Sequence, residues 1–142
     1  MIEVIRIEQE QDFKTATAIR ENVFVIGQGV PREAEYDQYE EVAKHYMATY
    51  NGIACGAARW RKTEQGVKLE RFAVLEEFRN KNVGAKVLEL VLEDVRSAYP
   101  DSTIYLHAQV AALNFYLRNG FETEGEMFSE CDINHYKMTY KG

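Results

Sequence analysis

Several things are scarce in this 142-residue chain, and each scarcity excludes something. There are two cysteines, Cys55 and Cys131, and their separation matches no zinc or redox motif. Both are expected as plain residues of a reduced, cytoplasmic compartment. There are two prolines, Pro31 and Pro100. No repeat, low-complexity tract or composition shift marks a linker. One domain over residues 1–142 is therefore expected, at a length typical of single domains. No apolar run approaches the roughly 18–20 residues that cross a bilayer, and Met1–Arg6 lacks the apolar core of a leader. No membrane partner is expected. Positive charge is also short: 17 Lys and Arg stand against 23 Asp and Glu, for a net charge of −6. Neutralising nucleic-acid phosphates needs the opposite balance, so no nucleic-acid partner is expected. The three histidines and two cysteines form no pair at metal-ligand spacing, and no metal is expected.

What is present is ordinary globular material, 46% hydrophobic and 28% charged. A chain of this length buries about two-thirds of its unfolded surface without a disulfide or metal staple. The charge is unevenly placed. Residues 32–41 carry five acids and one base, and residues 122–132 carry Glu122, Glu124, Glu126, Glu130 and Asp132 with no base. Between them, residues 78–88 carry Arg79, Lys81 and Lys86 with no acid.

The hydrophobic pattern orders the elements. Val4–Ile7 fits a first strand, and Gln11–Val25 a helix that Asp12 would cap and the segment Gly27–Pro31 would break. Asn51-Gly52 between two apolar runs is a hairpin signal, because both residues tolerate positive φ. Val67–Val74 reads as the next strand. Val83, Val87, Leu88, Val91, Leu92 and Val95 then make the stripe of an amphipathic helix, which Pro100 keeps short. A strand at 103–107, a helix at 110–119 capped by Gly120, and strands at 121–128 and 133–140 complete the chain. The order is β-α-(α)-β-β-β-α-β-α-β-β, an α/β (α+β) mixed sheet. The alternating Tyr136, Met138 and Tyr140 fit either the core or the edge of a homodimer.

The junction of strand 67–74 with helix 83–97 is the most informative segment. A strand leads through a basic loop to Gly84 at a helix start, where unpaired N–H groups and the helix dipole favour an anion. Asn82 tolerates a left-handed conformation. The segment reads as a pyrophosphate cradle or as a plain structural turn. It lacks the Lys-Ser/Thr of a Walker loop and the triple glycine of a dinucleotide fold.

Arg79-Asn80-Lys81-Asn82-Val83-Gly84 resembles the Arg/Gln-x-x-Gly-x-Gly/Ala loop of the GNAT superfamily of acyl-CoA N-acyltransferases. Phe72–Arg79 is similar to the lead-in of that loop, and Asn114–Phe121 to the superfamily's Phe-Tyr helix segment. Asn82 stands where the first glycine usually sits. Further segments resemble a small bacterial ElaA-like branch: Arg20–Val25, Ala57–Trp60, His107–Gln109 and Gly125–His135. Gly27 replaces the acid that this branch usually carries before Gln28.

The resemblance implies a mostly antiparallel sheet, flanked by helices and splayed between strands 67–74 and 103–107. It implies acetyl-CoA as donor. The pyrophosphate would lie on Arg79, Asn80, Lys81, Asn82, Val83, Gly84 and Ala85, and Asn114 would also belong to the cofactor site. The pantetheine would run along Phe72, Ala73 and Val74, with the Val74 N–H on the thioester carbonyl. Tyr116 would protonate the departing thiolate, or pack beside the donor with a structural hydroxyl. Glu70 would take the proton of the amine, or be a salt-bridged strand carboxylate. His107 is a second candidate base, or a hydrogen-bonded structural residue, with His135 and His45 ranked behind it. The implied function is direct N-acetyl transfer to a primary amine of a small molecule or peptide. An acyl-CoA-binding regulatory module without chemistry is the alternative. The acidic segments would face a cationic acceptor such as a polyamine, amino sugar or basic peptide, or are ordinary solvated surface; if Arg20, Arg59 or Arg71 enters the pocket, the acceptor also carries an acid.

Overall fold

The computed structural model describes residues 1–142. The elements in chain order are β1 (Ile2–Arg6), α1 (Glu10–Arg20), α2 (Arg32–Glu35), β2 (Lys44–Tyr50), β3 (Ile53–Thr63), β4 (Gly66–Val74), α3 (Val83–Ala98), β5 (Ile104–Gln109), α4 (Leu113–Arg118), β6 (Phe121–Glu130) and β7 (Ile133–Tyr140). The seven strands form one sheet in the order β1-β2-β3-β4-β5-β7-β6. Only β4 and β5 pair in parallel. The expected element order and mixed sheet are observed. No helix is long and apolar enough to cross a membrane.

The α3 stripe explains the core. All six residues Val83, Val87, Leu88, Val91, Leu92 and Val95 are buried against Val67, Leu69, Ile104, Leu106 and Met138. Each such side chain contributes about 1.5–3 kcal/mol on burial. The opposite face of the sheet is covered by α1, whose Ala16 and Ile19 join Val23 against Met47, Ala57 and Ala73. Tyr136, Met138 and Tyr140 pack against the first core, and β7 lies between β5 and β6, so these residues do not form a sheet edge.

Local details differ from the sequence expectation. β1 begins at Ile2, and α1 begins at Glu10 with Gln9 at its cap, so Asp12 sits inside the first turn. The helix expected to run to Val25 instead stops at Arg20 and widens into a π-helical turn over Glu21–Ile26. Such turns recur at functional sites. This one follows a buried arginine and brings Val23 and Phe24 to the central cavity. The helix expected at 110–119 is a 3₁₀ turn over Val110–Ala112 followed by α4.

The splay between β4 and β5 has two local causes. Their ladder pairs Val67 with Ile104, Lys68 with Tyr105 and Leu69 with Leu106, and then stops. At the closed end Gly66 has φ +137°, and a Cβ there would lie 2.2 Å from the Thr103 carbonyl oxygen. Only glycine permits that approach. At the open end β4 carries one residue more than β3 between the pairs Glu70–Arg59 and Ala73–Ala57. Arg71 lies in this bulge at φ +59°. A bulge bends and twists its strand, which here turns β4 away from β5.

Candidate active site

A cavity of about 380 Å³ opens at the splay. Side chains alternate between the faces of a strand, yet both faces line this cavity. Leu69, Phe72, Leu106 and Tyr116 come from the α3 side, and Lys68, Glu70, His107 and His135 from the α1 side. The gap between β4 and β5 is therefore a passage through the sheet.

On the α3 side, the loop before α3 is shaped to receive an anion. Asn80 and Asn82 adopt φ +62° and +72°, so asparagine supplies the left-handed turn expected of glycine. The first helical amide bond runs from Lys86 N–H to the Asn82 carbonyl. The N–H groups of Val83, Gly84 and Ala85 precede it and are left over. No side chain caps them, and no acid stands in the first turn. Arg79, Lys81 and Lys86 flank this end; the Arg79 guanidinium donates to the Val74 carbonyl at 3.0 Å. A Cβ at Gly84 would meet the Phe115 ring at 3.4 Å, an ordinary contact, so packing alone does not demand a glycine. The side chain of Val83 is in the core, which leaves only its backbone for a ligand. Asn114 is exposed on α4 and does not line the cavity.

Along β4, the Leu75 N–H bonds the Cys55 carbonyl on the β3 side. Alternation along a strand turns the N–H of Val74, the residue before it, toward the β5 side, where the ladder has ended. Tyr116 stands across this gap, with Phe72 at 6.4 Å and Phe121 at 5.7 Å between ring centroids. Burial pushes its phenol above the ordinary value and keeps it protonated.

The α1 side holds an ionic lattice. Arg59 reaches Asp37, Glu40 and Glu70, each with a contact of 2.7–2.9 Å. Arg20 pairs with Glu35 at 2.6 Å and Glu40 at 2.7 Å, and Arg71 with Glu35 and Asp37, each at 3.1 Å. This corrects the expectation for residues 32–41. Their carboxylates Glu35, Asp37 and Glu40 are turned inward and neutralised by arginines, and do not form a free acidic rim. Arg20 and Arg59 are fully buried in the lattice, and Arg71 lines the cavity. Glu70 also belongs to the lattice. Its Oε1 accepts from Arg59 and Arg61, and its Oε2 meets Arg61 and Lys68 at 3.3 Å. Burial opposes its ionisation, but these cations prevail and hold its carboxyl below the usual range. Glu70 is the salt-bridged strand carboxylate, and a poor proton acceptor.

His107 has a different environment. Its Nδ1 lies 3.3 Å from Glu130 Oε1, and its ring packs edge-on to Phe128 at 5.0 Å. An ionised carboxylate only accepts, so Nδ1 carries the hydrogen, and in the neutral ring Nε2 is the lone pair. The His135 ring stacks on Phe128 at 5.8 Å between centroids. His45 is remote from the cavity; its Nε2 bonds the Glu40 carbonyl.

Glu130 and His135 join His107 only in three dimensions. The β5–β7 register pairs His107 with Lys137 and Gln109 with His135, which puts the two imidazoles on one face. Glu130 arrives through a tight turn at Cys131 and Asp132, both at positive φ, with none of the Asn-Gly signal that marks β2–β3. Gln28 and Gln109 form a reciprocal amide pair across the cavity margin at 2.9 and 3.2 Å. Cys131 is exposed there, whereas Cys55 is buried in the core, which pushes its thiol pKa up. No group of three or more His, Cys, Asp or Glu is arranged to hold a metal ion.

The fold recurs in known proteins. An acetyltransferase (GNAT) domain model matches residues 10–141. A Bacillus subtilis (strain 168) protein assigned as an acetyltransferase is 35% identical over 139 residues, covering 96% of this chain and 94% of that one. The crystal structure of Escherichia coli ElaA superposes with a TM-score of 0.85 at 26% identity, covering 99% of this chain and 100% of that one. A Bacillus subtilis acetyltransferase in complex with CoA superposes with a TM-score of 0.76 at 18% identity, covering 99% of each chain. The match over nearly the whole sequence, on a sheet opened between β4 and β5 beside an uncapped helix, places the chain in the GNAT acetyltransferase family.

Proposed function

We propose that the protein transfers an acetyl group from acetyl-CoA directly to a primary amine of a small molecule or peptide. The observation that carries this reading is the cavity through the sheet, with a protonated phenol on one face and an imidazole lone pair on the other. The bound donor supplies the activated acetyl thioester. The residues present fit it: three unpaired N–H groups at the start of α3 and three nearby cations suit a pyrophosphate. The open edge of β4 suits an extended amide-bearing chain.

The Val74 N–H is aimed to stabilise negative charge growing on the carbonyl oxygen. His107 Nε2 takes one proton from the ammonium before attack, and Glu130 at Nδ1 stabilises the resulting imidazolium; the second proton, shed by the tetrahedral adduct, replaces the one that the Tyr116 hydroxyl gives to sulfur. An amine of pKa about 10 arrives as ammonium and must lose a proton before attack, which gives this base its purpose. The Tyr116 hydroxyl delivers a proton to the departing sulfur. Attack is direct, with no acyl-cysteine step: Cys55 is shut in the core, and Cys131→Ala is expected to leave turnover intact.

The test is release of free CoA across a panel of amines by wild type and Tyr116→Phe. A fall in kcat of about 10²-fold or more with unchanged acetyl-CoA affinity supports the role of Tyr116. Unchanged turnover with a good acceptor removes it. Absence of turnover with every amine, alongside tight acetyl-CoA binding, favours a non-catalytic acyl-CoA-binding module. Parallel calorimetry with ATP checks that binding is specific to the thioester donor.

A further inference from the structure

The acceptor side of the cavity contains an arrangement of hydrogen-bond acceptors with no donor between them. His135 Nδ1 lies 2.7 Å from the Ile133 carbonyl. A carbonyl only accepts, so Nδ1 carries the hydrogen and Nε2 of the neutral ring is a lone pair. That Nε2 is 3.9 Å from Glu130 Oε1. With the ring neutral, two acceptors face one another across a gap that no hydrogen bond of the chain closes. The His135 side chain is nine-tenths buried and lines the cavity, so its position is held. Phe128 packs on both imidazoles, edge-on to His107 at 5.0 Å and stacked on His135 at 5.8 Å between centroids. A nitrogen about 3 Å from both Nε2 and Oε1 closes a triangle with them, and an ammonium has the donors to satisfy both.

The surrounding charge sets how many ammonium groups fit. Glu35 and Glu70, the other carboxylates of the cavity, are held by arginines. Glu130 is the cavity carboxylate with no guanidinium partner; its contacts are the two imidazoles. The lattice beside it sets five cations, Arg20, Arg59, Arg61, Lys68 and Arg71, against four carboxylates, Glu35, Asp37, Glu40 and Glu70. Its surplus is positive, and Lys68 and Arg71 bring that surplus to the cavity wall. A second cation on the acceptor would meet repulsion there, whereas a neutral or anionic tail would not.

We propose that Glu130 and His135 Nε2 bind the acceptor as a single ammonium, and that the site therefore selects amines carrying one positive charge over polyamines. This rests on the transfer reaction proposed above. Of the two acidic segments expected to face a cationic acceptor, 122–132 contributes here through Glu130, whereas the 32–41 carboxylates Glu35, Asp37 and Glu40 are already neutralised.

Two measurements on the full chain test it. The first is calorimetric binding of 2-phenylethylamine, leucine and spermidine to the CoA-saturated protein, for wild type, Glu130→Gln and Glu130→Asp. The second is KM and kcat for the same acceptors by CoA release. Expected are an amine Kd and KM raised about tenfold in Glu130→Gln, part of it recovered in Glu130→Asp, and unchanged acetyl-CoA affinity and Tm. Spermidine should bind wild type at least about threefold more weakly than 2-phenylethylamine. The proposal is overturned if Glu130→Gln leaves amine binding within twofold of wild type, if spermidine binds tenfold tighter than the monoamine, or if wild type binds none of the three. Because binding is read separately, amine binding without CoA release would count against the transfer reading while leaving the ammonium site standing.

Discussion

Arg59 and Glu70, paired across neighbouring strands, are both buried, with the guanidinium Nε donating to Oε1 at 3.0 Å. The same guanidinium also holds Asp37 and Glu40 from the segment between α2 and β2. One side chain thus fastens the acceptor wall to the sheet beside the splay. Removing one partner of a buried ion pair strands the others, at a cost of about 3–5 kcal/mol. Arg59→Leu is expected to destabilise the fold by that amount in urea denaturation. A loss under 1 kcal/mol would show that the lattice does not hold the wall.

The two candidate bases should separate in kinetics. His107→Gln is expected to lower kcat by about 10²-fold or more without loss of acetyl-CoA affinity. Glu70→Gln should act mainly on stability, with kcat of the folded fraction within a few-fold of wild type. The opposite ranking, measured by CoA release at saturating donor and corrected for folded fraction, would return the role to Glu70.

Ala85→Glu tests the anion cradle without threatening the helix. An acid in the first turn interacts favourably with the helix dipole, so Tm should hold or rise slightly. The same charge would repel a pyrophosphate, and the acetyl-CoA Kd should rise at least about tenfold. Unchanged donor affinity would move the phosphates elsewhere.

Acid stability follows from Asp37. Burial opposes its ionisation, but hydrogen bonds from Arg59 and the Tyr39 N–H, with the charges of Arg59 and Arg71, lower its pKa from 3.8 to about 2. A carboxyl depressed in the folded state stabilises fully above its unfolded pKa, and that stability disappears as pH falls through the folded one. The loss therefore spans about pH 4 to 2. It is on the order of 1 kcal/mol once solvent screening is allowed for. Glu35, raised chiefly by burial, has the opposite sign, and its effect falls above its unfolded pKa, outside this window. Asp37→Asn should be less stable than wild type near neutrality and should flatten the curve between pH 4 and 2. Parallel curves in thermal melts across that range would exclude Asp37 as a source.

Much of the fold was legible because local chemistry and tertiary structure agree. The stripe from Val83 to Val95 is a helix at its expected register, and Asn51-Gly52 turns the hairpin with φ +50° and +83°. Asn82 adopts the left-handed conformation its side chain tolerates. The end of α1 was not legible, because a π-helical turn has no residue signature separate from that of an ordinary amphipathic helix. Nor was the turn at Cys131-Asp132, which takes positive φ without a glycine.

What the sequence determined by itself is whatever depends on near neighbours: the element order, the core stripe, the basic loop before α3 and the motifs that resemble the family. What only the tertiary structure decided is the meaning of charge. The acids at 32–41 look like a surface in one dimension, yet three of them end against Arg20, Arg59 and Arg71. Glu130 looks like one more acid in a run, yet it meets His107 and His135 in the cavity. The physical reason is that a charge acts through the partners that surround it and the solvent it has lost. Strand register and the bulge at Arg71 set those partners, over separations in the chain that no local pattern spans.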